Sequence, residues 1–415
     1  MDFDRTGGLL ALKALLIAYW APPLLSPESM LMRRMLYATG VHDVLWNLLT
    51  VCPRFSYGPK DYGKTLALET LPHPPQVEYA LSGEYGLIPL YALFPRLRLM
   101  PDPRLGWVPF GISRGAKLMQ REKFEVFVTW GQPHSSHLIG CALKRRYSRI
   151  PWVAYFGDPW VANPYVDHMP QKCTIWEQEV VHTVDRMIVN TKSVKNDFLQ
   201  RYGSAVQGKI HVIPHSYDHT WLEGEAHQTA RAPDSPLTLT YGGNFYGKRT
   251  PQPILRALNA LSPQVRAALC VQFIGKFPAQ WRAEAESLDS SVAVLGQKSY
   301  AETQALLRQS DMLLLIDAPL AESMFLPSKL VDYLALGKPI LALTPRGGAS
   351  WDALEGLDHV CLIDTDDDGQ IQNVLKKIAR GEFSFSGRTT PPEVFSPETV
   401  GAQWKCVLDE ALKTS

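Results

Sequence analysis

The 415-residue sequence is 46% hydrophobic and 20% charged, with a formal net charge of +1. That excludes a disordered chain and leaves no global pull toward nucleic acid or an anionic membrane. The length exceeds one typical core and suits two domains of about 200 residues each. Six cysteines, at 52, 141, 173, 270, 361 and 406, include no CxxC pair and fit no zinc or disulfide framework, so they read as reduced core thiols.

The first apolar run, Leu9 to Trp20, carries Lys13 and lacks a small-residue cleavage site. It fits a buried strand better than a signal peptide or a membrane span. No other stretch is long enough to span a bilayer. This places the protein in the cytoplasm, with peripheral attachment at the inner membrane left open.

In chain order, the first half predicts strands at Ala14–Tyr19, Val44–Val51, Val126–Thr129, Trp152–Phe156, Arg186–Val189 and His211–Ile213. Helices fit Glu28–Thr39, Ser135–Arg146, Gln171–His182 and Ser193–Arg201. Between Cys52 and Arg114 lies a Pro- and Tyr-rich stretch with little periodicity, which reads as an insertion with its own role. Within it, Tyr85–Arg114 mixes aromatics with Arg96, Arg98 and Arg104 and reads either as a membrane-facing surface or as a packed insertion.

His215–Pro236 breaks the pattern and reads as a linker. The second half alternates more cleanly. Strands are expected at Leu237–Tyr241, Cys270–Ile274, Val292–Leu295, Met312–Ile316, Pro339–Thr344 and Val360–Ile363. Thr250 with Pro251 predicts a helix start, Ser299 and Glu302 have capping-box spacing, and Pro327–Leu336 is a helix stopped by Gly337. The tail Pro397–Leu412 is amphipathic, with Val400, Trp404, Val407 and Leu408 on one stripe.

This alternation predicts an α/β protein with two doubly wound, Rossmann-like parallel-sheet domains facing a central cleft. The expected parts are residues 1–218, which would bind the acceptor, a linker at 219–236, a nucleotide-binding domain at 237–395, and a helix at 396–415 packing on either domain.

Four segments follow expected strands. In Phe325–Ala342, Pro327 precedes a helix whose first turn holds Ser328 and Lys329. Free N–H groups, a hydroxyl and an ammonium there suit a diphosphate, and Asp332 one turn on suits ribose hydroxyls. A capped surface helix explains the same residues equally well. In Tyr241–Thr250, Gly242, Gly243 and Asn244 allow close backbone approach, with Lys248 and Arg249 suited to phosphate; the alternative is a tight turn with solvated charges.

Asp158, past a strand end in Pro151–Trp160, is a candidate catalytic carboxylate, or an Asx turn before Pro159, and Trp160 after it is a candidate for acceptor or sugar contact. In Thr129–Leu138, His134 and His137 are candidates for sugar or acceptor contact, or for capping and packing. No third ligand or HExxH supports a metal at the pair, so no metal is expected. Asp364, Asp366, Asp367 and Asp368 read as a solvated helix start.

Taken in order, these segments resemble glycosyltransferase family 4, over roughly Ala14 to Ala379. Pro327–Pro339 looks like that family's donor-binding helix and Tyr241–Thr250 its Gly-rich turn. Phe156-Gly-Asp-Pro-Trp160, Pro101–Trp107 and Val212–Asp218 are similar to further stretches of one branch.

The resemblance implies a GT-B fold and metal-independent, retaining transfer from a UDP-, GDP- or dTDP-sugar. Arg249 and Lys329 would neutralise the diphosphate, Ser328 would bind it, Asp332 would hold the ribose, and Asp158 would lie near the sugar or acceptor. The acceptor would be a glycan or a lipid-linked molecule of bacterial surface or exported glycan synthesis, with no nucleic acid involved. Met324 stands where the family often carries a glutamate, and Gly157 where that branch often has arginine. Two other readings stay open: a sugar-nucleotide epimerase or hydrolase, and an inactive sugar-nucleotide sensor or partner subunit.

Overall fold

The structure is a computed structural model that describes residues 11–56, 58–61, 63, 67–84, 102, 104–161, 163, 170–222, 235–320, 323–383 and 389–414. Most of Tyr85–Arg114 that precedes Arg104, and most of the expected linker, lie outside the described residues. Two compact units emerge. The first comprises residues 1–216 and 393–415, the second 217–392. The break thus falls at Ser216–Tyr217, and the segment after it, including the turn at His219–Trp221, goes with the second unit.

The first unit is built on seven parallel strands: β1 (Leu12–Ala18), β2 (Val44–Val51), β3 (Gln76–Ala80), β4 (Val126–Gly131), β5 (Trp152–Phe156), β6 (Arg186–Val189) and β7 (Ile210–Val212). Their order is β3-β2-β1-β4-β5-β6-β7. Strands β1, β4 and β5 are almost wholly buried. That explains their continuous apolar runs, because helices cover both faces of such a sheet.

Helix α1 (Pro27–Gly40) starts at a capping box in which Ser26 accepts from the Ser29 backbone and the Ser29 hydroxyl accepts from Ser26 N–H. Four more helices follow: α2 (Val108–Arg121), α3 (Ser135–Arg146), α4 (Pro170–Thr183) and α5 (Lys192–Tyr202). Helix α2 and the short edge strand β3 both fall in the stretch expected to lack periodicity.

The second unit has six parallel strands: β8 (Leu237–Gly242), β9 (Leu269–Ile274), β10 (Val292–Gly296), β11 (Met312–Ile316), β12 (Ile340–Leu343) and β13 (Val360–Ile363). Their order is β10-β9-β8-β11-β12-β13. Helices α6 (Gln252–Asn259), α7 (Pro263–Arg266), α8 (Arg282–Glu286), α9 (Tyr300–Gln309), α10 (Ser328–Leu336), α11 (Ala349–Leu354) and α12 (Asp368–Ala379) connect them. Pro251 rather than Thr250 occupies the cap of α6, with no side-chain hydrogen bond. Asp367 caps α12 by accepting from Gln370 N–H at 2.9 Å.

Helix α13 (Pro397–Lys413) returns to the first unit. Trp404 stacks there on Trp130, 6.0 Å between ring centroids, and Val407, Leu408 and Ala411 are buried. At Gly401 a methyl would collide with the Ala38 backbone, so α13 lies directly against α1.

Candidate active site

In doubly wound sheets, ligands bind beyond the carboxyl ends of the strands, where the strand order reverses. The second unit reverses between β8 and β11. There Gly242 N–H donates to the Tyr333 hydroxyl at 2.8 Å, which pins the glycine turn to α10. Gly243, at φ 138°, leaves the space in which the Lys329 ammonium sits, since a Cβ there would lie 2.8 Å from Nζ. The ammonium also stands 3.7 Å from the centroid of Tyr241.

Among the described residues the Lys329 ammonium is buried without a hydrogen-bond partner. Burial, with the Arg249 charge second, pushes its pKa well down, and Asp317 works against that shift. Arg249 donates to Asp317 Oδ1 at 3.2 Å, and Thr344 donates to the other carboxylate oxygen at 3.1 Å. Ser328 opens α10, and Pro327 at its cap offers no side-chain acceptor to the first turn. The turn therefore gathers two basic side chains, one carboxylate and a helix start, which together suit an anion.

Other predicted residues are placed differently. Asp332 is buried on α10. Asn244 is exposed and its carbonyl accepts from Lys276 N–H at 2.8 Å, tying the β8 turn to the loop after β9. Lys248 is exposed. Asp317 and Thr344 were not anticipated. Asp317 directly follows the apolar run of β11, the position a strand-end carboxylate would take.

The first unit reverses between β1 and β4. Past β4, the Gln132 side-chain amide donates to Asp158 Oδ2 at 2.8 Å. Trp130 Nε1 donates to Glu28 Oε2 at 2.9 Å, and Gln132 backbone N–H also hydrogen-bonds Glu28. Burial raises Asp158 to about 6. Burial first, and the Asp158 charge second, raise Glu28 to about 8. Tyr155 stacks on Trp130 at 3.9 Å and shares a hydrogen bond of 3.2 Å with His215 Nδ1. Neither Glu28 nor Gln132 was anticipated, although Gln132 lies within the segment that drew attention to the histidines.

His134, His137 and Trp160 form a buried aromatic cluster. His134 stacks on Trp160 at 5.1 Å, and His137 lies 4.2 Å from the Phe156 ring. Burial holds His134 near 3 and His137 well below the usual imidazole range, so both are neutral at pH 7. A Cβ at Gly131 would lie 2.7 Å from a ring nitrogen of each, so glycine lets the loop cross over them. Among the described residues no group of three or more His, Cys, Asp or Glu is placed to hold a metal, and no helix is long and apolar enough to cross a membrane.

No curated protein matches the sequence significantly. Solved structures match throughout. Anabaena HepE in complex with UDP superposes with a TM-score of 0.61 at 15% identity, covering 97% of this chain and 98% of that one. The lipopolysaccharide outer core galactosyltransferase WaaB gives 0.63 at 14% identity, over 96% and 99%. The UDP-GlcNAc 2-epimerase of Methanocaldococcus jannaschii gives 0.57 at 13% identity, over 96% and 100%. At such identities the likeness establishes the fold. The sequence profile of Glycosyltransferase Family 4 matches residues 67–221, within the first unit and the start of the second. As the motif resemblance implied, the chain is similar to Glycosyltransferase Family 4 over that stretch and carries the Rossmann-like parallel-sheet units of the GT-B glycosyltransferases.

Proposed function

We propose that this protein is a retaining, metal-independent hexosyltransferase that takes its sugar from a nucleotide-sugar donor. The observation that carries this reading is the buried, unpartnered Lys329 ammonium beside Arg249 at the strand reversal of the second unit. A diphosphate supplies the charge and oxygen acceptors that this ammonium lacks. When the bond from the anomeric carbon to the diphosphate breaks, negative charge grows on the leaving oxygen. Arg249, Lys329, the Ser328 hydroxyl and the first turn of α10 then stabilise it, a contribution of the kind that dominates such reactions. Asp332 binds the ribose, Gly242 and Gly243 admit the phosphates, and Asp158 acts on the acceptor side.

Similar structures in complex with UDP make UDP the first donor nucleotide to test, with GDP and dTDP beside it. We assign the acceptor to lipid-linked glycan synthesis at the inner face of a bacterial membrane, in keeping with the mixed aromatic and basic sequence of Tyr85–Arg114. Thermal shift with UDP, GDP, dTDP and their common sugars tests the donor site. One nucleotide raises the midpoint of the wild type and not of Lys329→Ala; no shift with any of them overturns the reading. Co-sedimentation with anionic vesicles tests the membrane assignment, which fails if all protein stays in the supernatant.

The fold is shared with an epimerase, so product analysis decides the reaction class. Incubation of the donor without acceptor returns an isomerised sugar nucleotide from an epimerase. A transferase yields at most slow release of free sugar and nucleoside diphosphate.

A further inference from the structure

At the strand reversal of the first unit, three chain segments deliver one hydrogen-bonded group. Glu28 comes from the first turn of α1, Gln132 from the end of β4, and Asp158 from the loop after β5. Gln132 spends one N–H on each carboxyl: the backbone on Glu28 and the side-chain amide on Asp158. Trp130 adds its indole N–H to Glu28 and is held by stacking on Tyr155 and Trp404. Both acids are partly accessible, so they are not sealed into the core.

Two carboxyls fixed on one glutamine do not ionise independently, because the second negative charge is opposed by the first. The charges around them do not relieve this. Tyr155 faces both from β5, and its hydroxyl is pushed well up by burial, with both carboxylates adding to the shift. His215, bonded to Tyr155 and to the Asn190 amide, is held near 3 by burial, with Arg34 adding to the effect, and is neutral. Arg34 of α1 is directed at the Ser216 carbonyl, 3.4 Å away. Both carboxyls are pushed upward, Glu28 the further, which favours a pair that keeps one proton near neutrality.

We propose that Glu28 and Asp158, held together on Gln132, bind the reacting hydroxyl of the acceptor between them, one carboxyl donating to its oxygen and the other accepting from its O–H. This rests on the transferase reading and assigns Glu28 a role that reading does not include. A hydroxyl is both donor and acceptor, and a singly protonated pair is the complementary partner. Doubly ionised, the pair offers acceptors only; doubly protonated, it accepts from the O–H more weakly than a carboxylate does. The orientation imposed is the kind of contribution that positions an attacking atom.

Infrared titration of the full chain, without any substrate, tests the pair. The wild type shows a protonated-carboxyl band at pH 7 that disappears near pH 8. Glu28→Gln lacks that band, and in Asp158→Asn it disappears at lower pH. A band unchanged in Glu28→Gln overturns the proposal. Release of nucleoside diphosphate, with water as acceptor and the sugar nucleotide giving the largest midpoint shift as donor, tests its use. The wild-type rate falls on both sides of neutrality, and Glu28→Gln loses the alkaline fall. An alkaline fall that persists in Glu28→Gln also overturns it. Failure of the donor reading looks different, since then no nucleotide shifts the midpoint while the infrared band remains. Melting curves of both variants at pH 5 confirm that they fold.

Discussion

The strand reversals of the two units have opposite chemistry and obey the same physics. The first gathers acids, Glu28 and Asp158, and the second gathers bases, Arg249 and Lys329. At each, burial drives a side chain toward its neutral form, raising Glu28 and lowering Lys329. The difference lies in what restores the charge. Under our proposal a ligand's anion restores it at Lys329, whereas at Glu28 burial first, and the Asp158 charge second, favour the neutral carboxyl.

The sharpest way to break this contrast is a pair of variants. Lys329→Ala lowers kcat/KM by roughly 10³-fold and abolishes the nucleotide-induced thermal shift. Asp158→Asn loses roughly 10²-fold in rate yet keeps the full shift. Loss of the shift in both variants would show that the two edges are not separable, and steady-state kinetics with thermal shift reads both.

Next in size is Asp317→Asn. It removes the buried partner of Arg249 and costs about 3 kcal/mol of stability in the nucleotide-free protein, measured by denaturant titration. Because the bound diphosphate then neutralises a cation left alone, the nucleotide raises the midpoint of this variant more than that of the wild type. A smaller shift would mean that Asp317 is needed to aim Arg249.

A moderate effect is expected at Glu28. Its folded pKa, about 8, is raised above the ordinary glutamate value. Its contribution is therefore fully present below about pH 4.5 and is lost as pH rises through 8. Glu28→Gln removes that dependence, so the variant gains on the wild type in thermal midpoint between pH 5 and pH 9. The smallest effect is at Lys248, which is exposed. Lys248→Ala changes nucleotide affinity by about twofold, and a larger loss by calorimetry would enlarge the basic edge beyond Arg249 and Lys329.

Much of the frame was legible because buried parallel strands leave continuous apolar runs. Val44–Val51, Trp152–Phe156, Arg186–Val189, Met312–Ile316 and Val360–Ile363 fall where their residues predict them. Helix α2 did not, because Gly111 and Gly115 lower its apparent propensity. Those glycines are where α2 meets α3: a Cβ at Gly111 would collide with Ile139, and one at Gly115 would lie 2.9 Å from Leu143. Tertiary packing, which leaves no local pattern, overrode propensity there.

The candidate site was legible in its bases and less so in its acids. Lys329 and Arg249 stand in glycine- and proline-marked turns that announce a strand-to-helix junction. Glu28 looks like any acidic residue in a first helical turn, and only the path of the chain brings it to Gln132 and Asp158. His134 and His137 drew attention by residue type, yet their spacing serves the packing under Gly131.

The return of α13 to the first unit has a consequence for how the chain is made. The second unit is continuous in sequence, from residue 217 to 392, so it can complete its core as soon as it clears the ribosome. The first unit, although synthesised earlier, must wait for Trp404 to reach Trp130 and for Gly401 to seat against α1. Until residues 397–413 arrive, the wall behind the Glu28 edge stays unfinished. The strand reversal that carries Glu28 and Asp158 is thus completed after that of the second unit, although its strands are translated earlier.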